Sequence, residues 1–147
     1  MSHSYSQNIV HIVFSTKDRA KTINQALQPK LWAYIAGICK KEGIFVHAIG
    51  GTDNHLHCLV QLPPTQDLAK AINIIKSNSS RWMRQASRLF VWQEGYGAFS
   101  VSASLLPTVR RYIQNQEAHH RKMSFEDEFL ALLRKHGVEY DPKFVMG

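Results

Sequence analysis

Hydrophobic residues follow two alternating spacings along this chain. Runs rich in β-branched and aromatic residues predict strands over residues 8–14, 44–49, 55–62 and 97–104. Apolar residues at helical spacing predict helices over residues 23 to about 43, 67 to about 88, 109 to about 122 and 125–135. The sequence therefore predicts the order strand, helix, strand, strand, helix, strand, helix, helix.

This order is typical of one compact arrangement. It is that of a split βαβ, ferredoxin-like or RRM-like domain of the α+β class. We expect an antiparallel sheet with helices on one face and a further, C-terminal helix that carries Tyr112. The chain of 147 residues fits one domain over 1–147, with a core at about 8–122 and a C-terminal helix and tail at about 123–147.

The charge balance points to a nucleic-acid partner. Lys and Arg exceed Asp and Glu by seven, for a pI near 9.6, and basic domains of this size often bind phosphate backbones. The N-terminus lacks the pattern of a signal peptide, and no apolar run is long enough to cross a membrane. We therefore expect a cytoplasmic protein, whose Cys39 and Cys58 are reduced and packed.

The first candidate chemistry is a histidine pair on the predicted third strand. Side chains alternate along a strand, so His55 and His57 share one face while Leu56 points away. Two imidazoles at this spacing can bind one cation, since His is the commonest metal ligand. The alternative is two histidines on a polar sheet face.

The second candidate is Tyr112 on the predicted third helix. Positions three and four apart share a helix face, so Tyr112 aligns with Asn115 and Gln116. A phenol, with a pKa of about 10, needs a target phosphate whose charge a cation has neutralised. A carboxamide one turn away can supply that cation with an oxygen ligand. The alternative is an ordinary tyrosine at a helix edge.

Basic residues make up the third candidate feature. They are candidates for contact with DNA phosphates because Trp82, Trp92, Tyr96 and Phe99 are interspersed among them, and basic grooves with stacking rings suit unpaired bases. The alternative is that they belong to solvated faces. The candidates are Lys17, Arg19, Lys76, Arg81, Arg84, Arg110 and Arg111.

Together these motifs resemble one family. Asp-Asn-His-Leu-His at 53–57 is similar to the HUH motif, and Tyr-Ile-Gln-Asn-Gln at 112–116 resembles the nucleophile helix of single-tyrosine HUH transposases of small insertion sequences. Trp92-Gln93 and the segment 95–102 resemble the stretch that precedes that helix. The resemblance runs from the first strand to about residue 120.

The resemblance implies a function and its residues. His55, His57 and Gln116 would bind Mg²⁺ or Mn²⁺, and Tyr112 would attack DNA to give a 5′-phosphotyrosine and a free 3′-hydroxyl. The substrate would be single-stranded DNA at hairpin-marked element ends. Members of the family are dimers in which the tyrosine helix completes the partner's site.

Two nearby histidines leave the ligand set open. His119 and His120 lie three and four residues past Gln116 and could reach the metal or shuttle a proton. We expect Gln116 to be the third ligand by resemblance, and the two histidines to lie at the surface.

Other functions remain as alternatives. A non-catalytic single-stranded nucleic-acid-binding module is one, although the RRM aromatic motif is only partly echoed at 95–99. A domesticated relative that processes repeated palindromes, or a nuclease related to replication initiators, would use the same chemistry. A structural zinc site involving Cys39, His47 and Cys58 with His55 and His57 lacks the expected CxxC spacing.

Overall fold

The computed structural model describes residues 3–147; Met1 and Ser2, which the sequence places in the same domain, lie outside the described residues. The strands are β1 (Asn8–Ser15), β2 (Phe45–Gly51), β3 (His55–Leu62) and β4 (Gly97–Ser100). The helices are α1 (Gln28–Lys41), α2 (Leu68–Met83), α3 (Leu106–Gln114), α4 (Gln116–His119) and α5 (Phe125–Lys135). Short 3₁₀ turns occupy Lys17–Arg19 and Ala103–Leu105.

The four strands form one antiparallel sheet in the order β2-β3-β1-β4. The two central strands, β1 and β3, pair along their whole length, from Asn8 opposite Leu62 to Ser15 opposite His55. This is the strand order of a ferredoxin-like domain, and the predicted fold class is confirmed.

One face of the sheet packs against α1 and α2. Leu56 of β3 and Phe14 of β1 lie in the same buried cluster as Leu31 and Ile35 of α1 and Ile75 of α2. Burying a side chain of this size contributes roughly 1.5–3 kcal/mol relative to leaving it exposed. This cluster is the main hydrophobic core, and it fixes which face of β3 turns away from it.

The opposite face carries α3 and α5. Ile113 of α3 packs on Ile9 and Leu59 of the sheet, whereas Phe129 of α5 packs in a separate cluster with Val13. Since Leu56 points into the main core, the alternation of β3 turns its neighbours His55 and His57 toward these two helices.

Several element boundaries differ from the sequence-based prediction. Helix α1 starts at Gln28, with Pro29 in its first turn, while the buried Ile23 lies in the preceding loop. Helix α2, which Asp67 caps by accepting a hydrogen bond from the Lys70 backbone N–H, ends at Met83, and β4 ends at Ser100. The third predicted helix starts earlier, at Leu106, and is interrupted near Asn115, so that Gln116 begins α4.

Cys39 and Cys58 are buried free thiols in the main core, and burial raises the pKa of Cys39 to about 11. Within residues 3–147, none of the helices combines the length and apolar content that crossing a membrane requires.

Gly50 of β2 sets how closely α3 approaches the sheet. A Cβ atom at Gly50 would lie 2.5 Å from the backbone oxygen of Ile113. We expect Gly50→Ala to push α3 outward and lower the free energy of unfolding by roughly 1–3 kcal/mol in urea denaturation. Gly37→Ala on α1 is the control, because its Cβ meets nothing within 4 Å and alanine favours a helix by about 0.5–1 kcal/mol. Equal stability of Gly50→Ala and the unmutated protein would contradict this account of how α3 is seated.

Candidate metal and nucleophile site

The two histidines of β3 lie side by side under α3 and α5. His55 and His57 are fully buried, with ring centroids 5.2 Å apart, and Leu56 points into the main core. The shared face that strand alternation predicts is therefore present in the structure.

The α3–α4 segment places two further polar groups above these rings. The Oε1 atom of buried Gln116 lies 2.8 Å from Nε2 of His55. The hydroxyl of half-buried Tyr112 donates a hydrogen bond to a carboxylate oxygen of Glu128. Despite the interruption near Asn115, Gln116 Nε2 remains 3.4 Å from the backbone oxygen of Tyr112.

Glu128, which the sequence analysis did not single out, lies at the centre of the cluster. Its side chain is only 1% exposed. Its Oε1 atom lies 3.1 Å from Nε2 of His57 and 3.7 Å from Nε2 of His55, and its Oε2 accepts from Gln116 Nε2 at 3.0 Å. One signal could have identified it: Glu128 falls on the buried stripe of α5 between Phe125 and Phe129. An acidic residue at a core position of an amphipathic helix needs a partner.

The expectation that both neighbouring histidines lie at the surface is wrong for His120. Its side chain is 11% exposed, and its Nε2 lies 2.9 Å from both Gln116 Oε1 and Glu128 Oε1. His119 lies nearer the surface, with a side chain 31% exposed, although its Nε2 is buried 3.5 Å from Glu128 Oε2. The break near Asn115 and the end of α4 at His119 turn the chain so that His120 faces inward.

The hydrogen bonds around these histidines indicate a cation site. Met123 offers a backbone oxygen 2.7 Å from His120 Nδ1, and Asn54 Oδ1 lies 2.9 Å from His55 Nδ1. Both oxygens only accept, so each Nδ1 carries a hydrogen, and a ring that is neutral then turns a lone pair on Nε2 inward. These lone pairs face oxygens of Gln116 and Glu128, which also only accept. A positive ion between them satisfies all of these atoms.

The donor geometry fits a single ion. One ligand atom each from His55, His57, His120 and Glu128 lies within 4.8 Å of the others. Such a set of imidazoles and one carboxylate suits a divalent transition metal. Gln116 Oε1 adjoins the same space.

The pKa shifts of three side chains indicate the charges that the metal-free site carries. Burial lowers the pKa of His55 to about 3, so its ring is neutral. Burial raises the pKa of Glu128, but the surrounding side chains of His120, His57 and Tyr112 outweigh burial and hold that pKa well below its ordinary value. Burial and the adjacent Glu128 carboxylate raise the pKa of Tyr112 above its ordinary value. The site thus holds one buried anion and a protonated phenol.

His11 of β1 is a further residue that the sequence analysis missed. It is buried, and its Nε2 lies 2.8 Å from Nδ1 of His57. Burial, followed by the neighbouring His57, lowers its pKa well below the ordinary value, so the ring is neutral and can accept a hydrogen bond. An acceptor behind a ligating imidazole fixes the ring and its tautomer.

Two of the predicted DNA-contacting cations are engaged by backbone oxygens. Lys76 Nζ donates to the carbonyls of Gln93 and Gly95 at 2.9 and 2.5 Å, and burial lowers its pKa to about 8. Arg19 Nη1 donates to the carbonyl of Met146 at 2.7 Å. Both cations therefore stabilise loops. The Lys76 ammonium holds the segment before β4, and the Arg19 guanidinium holds the C-terminal tail.

The other predicted cations lie on two sides of the molecule. Arg81 lies on α2 and Arg84 directly follows it, and α2 packs on the sheet face opposite the histidines. Arg110 and Arg111 precede Tyr112 on α3, with Arg111 exposed and Arg110 half-buried, and Lys17 is exposed after β1. The structure therefore does not bring the seven residues into one patch.

The structure assembles the cluster within one chain. Helix α3 packs through Ile113 on its own sheet, and only residues 101–105 separate it from β4. Tyr112 and Gln116 consequently reach His55 and Glu128 of the same chain. The completion of each site by a partner's tyrosine helix, which the family resemblance implies, involves a second chain and stays a prediction.

Comparisons with known proteins identify a family by sequence and two similar folds by structure. The model of the family described as transposase IS200-like matches residues 4–116. A candidate transposase from Deinococcus radiodurans has a similar solved structure, with TM-score 0.65 and 19% identity over 79% of this chain and 95% of that chain. The structure of a REP-associated tyrosine transposase bound to a REP hairpin has TM-score 0.61 and 17% identity over 82% of this chain and 73% of that one. No curated protein matches the chain.

His11→Phe tests the role of the His11–His57 contact. We expect the substitution to weaken Mn²⁺ binding by about 10–100-fold, because it removes the acceptor behind His57. His11→Gln, which keeps an acceptor near the same place, should lose less. Affinity is measured by isothermal titration calorimetry, with circular dichroism to verify folding. If folded His11→Phe binds Mn²⁺ as tightly as the unmutated protein, His11 does not support the site.

Proposed function

The chain belongs to the family of IS200-like transposases, and on that basis we propose that it cleaves and rejoins single-stranded DNA through a metal-dependent, covalent link to Tyr112. The observation that carries this proposal is the hydrogen bond between the Tyr112 hydroxyl and Glu128, whose carboxylate also lies among three inward-facing imidazoles. Glu128 thus contacts both the proposed nucleophile and the imidazoles of the cation site.

The proposed ligands are His55, His57, His120 and Glu128, with Gln116 Oε1 beside them. When bound, a divalent cation neutralises phosphate oxygens and stabilises the charge that develops on them. The chain's own part is to fix the donors: Asn54 and Met123 orient two of the imidazoles, and His11 orients the third.

The proposed reaction is a reversible transesterification. The Tyr112 oxygen forms a bond to phosphorus as the bond to the 3′-oxygen breaks. The phenol loses its proton and the leaving oxygen gains one, which leaves a 5′-phosphotyrosine and a free 3′-hydroxyl. Attack by a 3′-hydroxyl reverses the step, restores the phosphodiester and frees Tyr112. The covalent intermediate conserves the bond energy, so rejoining needs no nucleotide hydrolysis.

Charge makes the cation necessary for the approach of DNA. The Glu128 carboxylate already contacts the Tyr112 hydroxyl, and a phosphate brought to the same hydroxyl meets a like charge in a site of low dielectric. A cation bound to Glu128 removes this repulsion. We therefore expect no cleavage at all without a divalent metal.

The proposed substrate is single-stranded DNA at hairpin-marked ends. The support is the likeness to a tyrosine transposase whose solved structure contains a REP hairpin. The same likeness favours one variant of this function, a domesticated enzyme that processes repeated palindromes with the same residues.

The proposed site needs both parts of the chain. Glu128 lies in the C-terminal segment, whereas His55, His57 and Tyr112 lie in the core. Residues 8–122 and 123–147 would therefore act as one domain. A homodimer is still expected from the family resemblance, whereas the contacts of Tyr112 and Gln116 within one chain support assembly of each site in one subunit.

Tyr112→Phe tests the nucleophile. Labelled single-stranded DNA from the flanks of the gene, incubated with Mn²⁺ or Mg²⁺, should form a protein–DNA adduct that survives denaturing electrophoresis. The adduct should disappear in Tyr112→Phe, because no oxygen remains to attack, and persist in the control Tyr34→Phe on α1. An undiminished adduct in Tyr112→Phe would assign the nucleophile to another residue.

Glu128→Gln tests the ligand set. Since imidazole nitrogens suit transition metals and Mg²⁺ prefers oxygen ligands, we expect Mn²⁺ to bind more tightly than Mg²⁺. Replacing Glu128 with the neutral amide should weaken Mn²⁺ binding by about tenfold or more, measured by the electron paramagnetic resonance signal of free Mn²⁺. Glu126→Gln, an exposed change on the same helix, should leave binding unchanged. Equal Mn²⁺ binding by both variants would remove Glu128 from the site.

A further inference from the structure

One cavity of the structure is lined by Tyr112 and not by the loop that carries Asn54. We call it the Tyr112 cleft. It lies between α3 and α5 over the end of β4 and has a volume of about 330 Å³. Tyr112 and Glu128 line it together with His119, so it adjoins the proposed nucleophile directly.

Most of the lining is apolar. Val101, Leu105, Val109 and Leu132 contribute aliphatic side chains, and Leu105 is 55% exposed although large and hydrophobic. The ring of His136, also in the lining, stacks on Phe99 at a centroid distance of 4.4 Å. An apolar pocket bordered by rings suits the flat face of a base.

One polar atom of the cleft has no hydrogen-bond partner. Among the side chains of residues 3–147, Nε2 of His119 is buried from solvent and makes no hydrogen bond. Oε2 of Glu128 lies 3.5 Å from this atom, and the His119 ring packs 5.2 Å from that of Tyr112. Buried polar atoms are usually paired. A ligand beside Tyr112 would pair this one.

We propose that the Tyr112 cleft binds the base and sugar of one unpaired nucleotide next to the phosphate that Tyr112 attacks, with His119 Nε2 hydrogen-bonded to that nucleotide. This inference rests on the proposed function. The volume is at the small end of ligand pockets, roughly 300–1,000 Å³, which fits a single nucleoside and excludes a base pair. Exposed Lys135 in the lining is a cation for the adjoining phosphate.

A larger cavity that is lined by His120 and not by Tyr112 is a less suitable place for a base. It has a volume of about 870 Å³ on the His120 side, and it is lined by charges of both signs, among them Arg19, Arg121, Asp18 and Glu117. Such an open, charged groove suits a phosphate backbone better than a base face. The two cavities would therefore take different parts of one strand.

Photocrosslinking tests the cleft without requiring cleavage. The probe is a twelve-nucleotide single strand of thymidines carrying one 5-iododeoxyuridine, with Mn²⁺ and the full chain as Tyr112→Phe. We expect crosslinked peptides from the cleft, at residues such as His119 and Leu132. Adding Ala131→Trp, which fills the cleft from α5, should weaken DNA binding about tenfold and abolish these crosslinks. His119→Ala should weaken binding more than His119→Gln, which keeps a donor.

Ala36→Trp is the matched control. Ala36 is also half-buried and lines a separate cavity at α1, so this change should leave both binding and crosslinks intact. Crosslinks confined to other surfaces would overturn the proposal that the cleft binds a nucleotide. DNA binding that is unchanged by Ala131→Trp in a folded protein would overturn it as well. The covalent adduct of the unmutated protein is scored separately: an adduct with no cleft crosslinks refutes the cleft alone, whereas cleft crosslinks with no adduct refute the proposed chemistry alone.

Discussion

The arrangement of the site depends on one buried carboxylate. Glu128 is enclosed by the Nε2 atoms of His55, His57 and His120, and it also accepts the hydrogen bond of the Tyr112 hydroxyl. An isolated buried anion is costly unless it is paired. Because the backbone of Met123 and the side chain of Asn54 orient two rings with their lone pairs inward, these rings offer the carboxylate no proton while neutral. A divalent cation resolves this conflict, and it also allows a phosphate to approach the phenol.

Strand alternation and helix packing bring these side chains together. Alternation along β3 sends Leu56 into the core under α1 and α2 and sends both histidines to the other face. That face is covered by two separate helices, α3 held by Ile113 and α5 held by Phe129. The helices meet above the histidines, so a residue from each reaches the same point. Rigid elements thus position the site, which favours accurate geometry.

Much of the fold and part of the site can be predicted from the sequence. The order of strands and helices along the chain follows from the alternation of periodic segments, and the shared face of His55 and His57 follows from the period of a strand. Residues that approach through tertiary packing were missed: His11 resembles any histidine in an apolar strand, and Glu128 comes from a helix whose docking the local pattern does not specify. His120 was misplaced because a continuous helix was expected, whereas the interruption near Asn115 reorients the chain. Lys76 had the composition of a phosphate contact, but its partners are carbonyls distant in sequence.

The central claim is that one chain holds a cation among His55, His57, His120 and Glu128, next to its own Tyr112. Anomalous diffraction at the manganese edge, from crystals grown with Mn²⁺, tests it most directly. The account predicts one anomalous peak per chain, within coordinating distance of all four side chains and beside the tyrosine of the same chain. A peak held by His55 and His57 with Glu128 turned away, or completed by residues of a second chain, would contradict it.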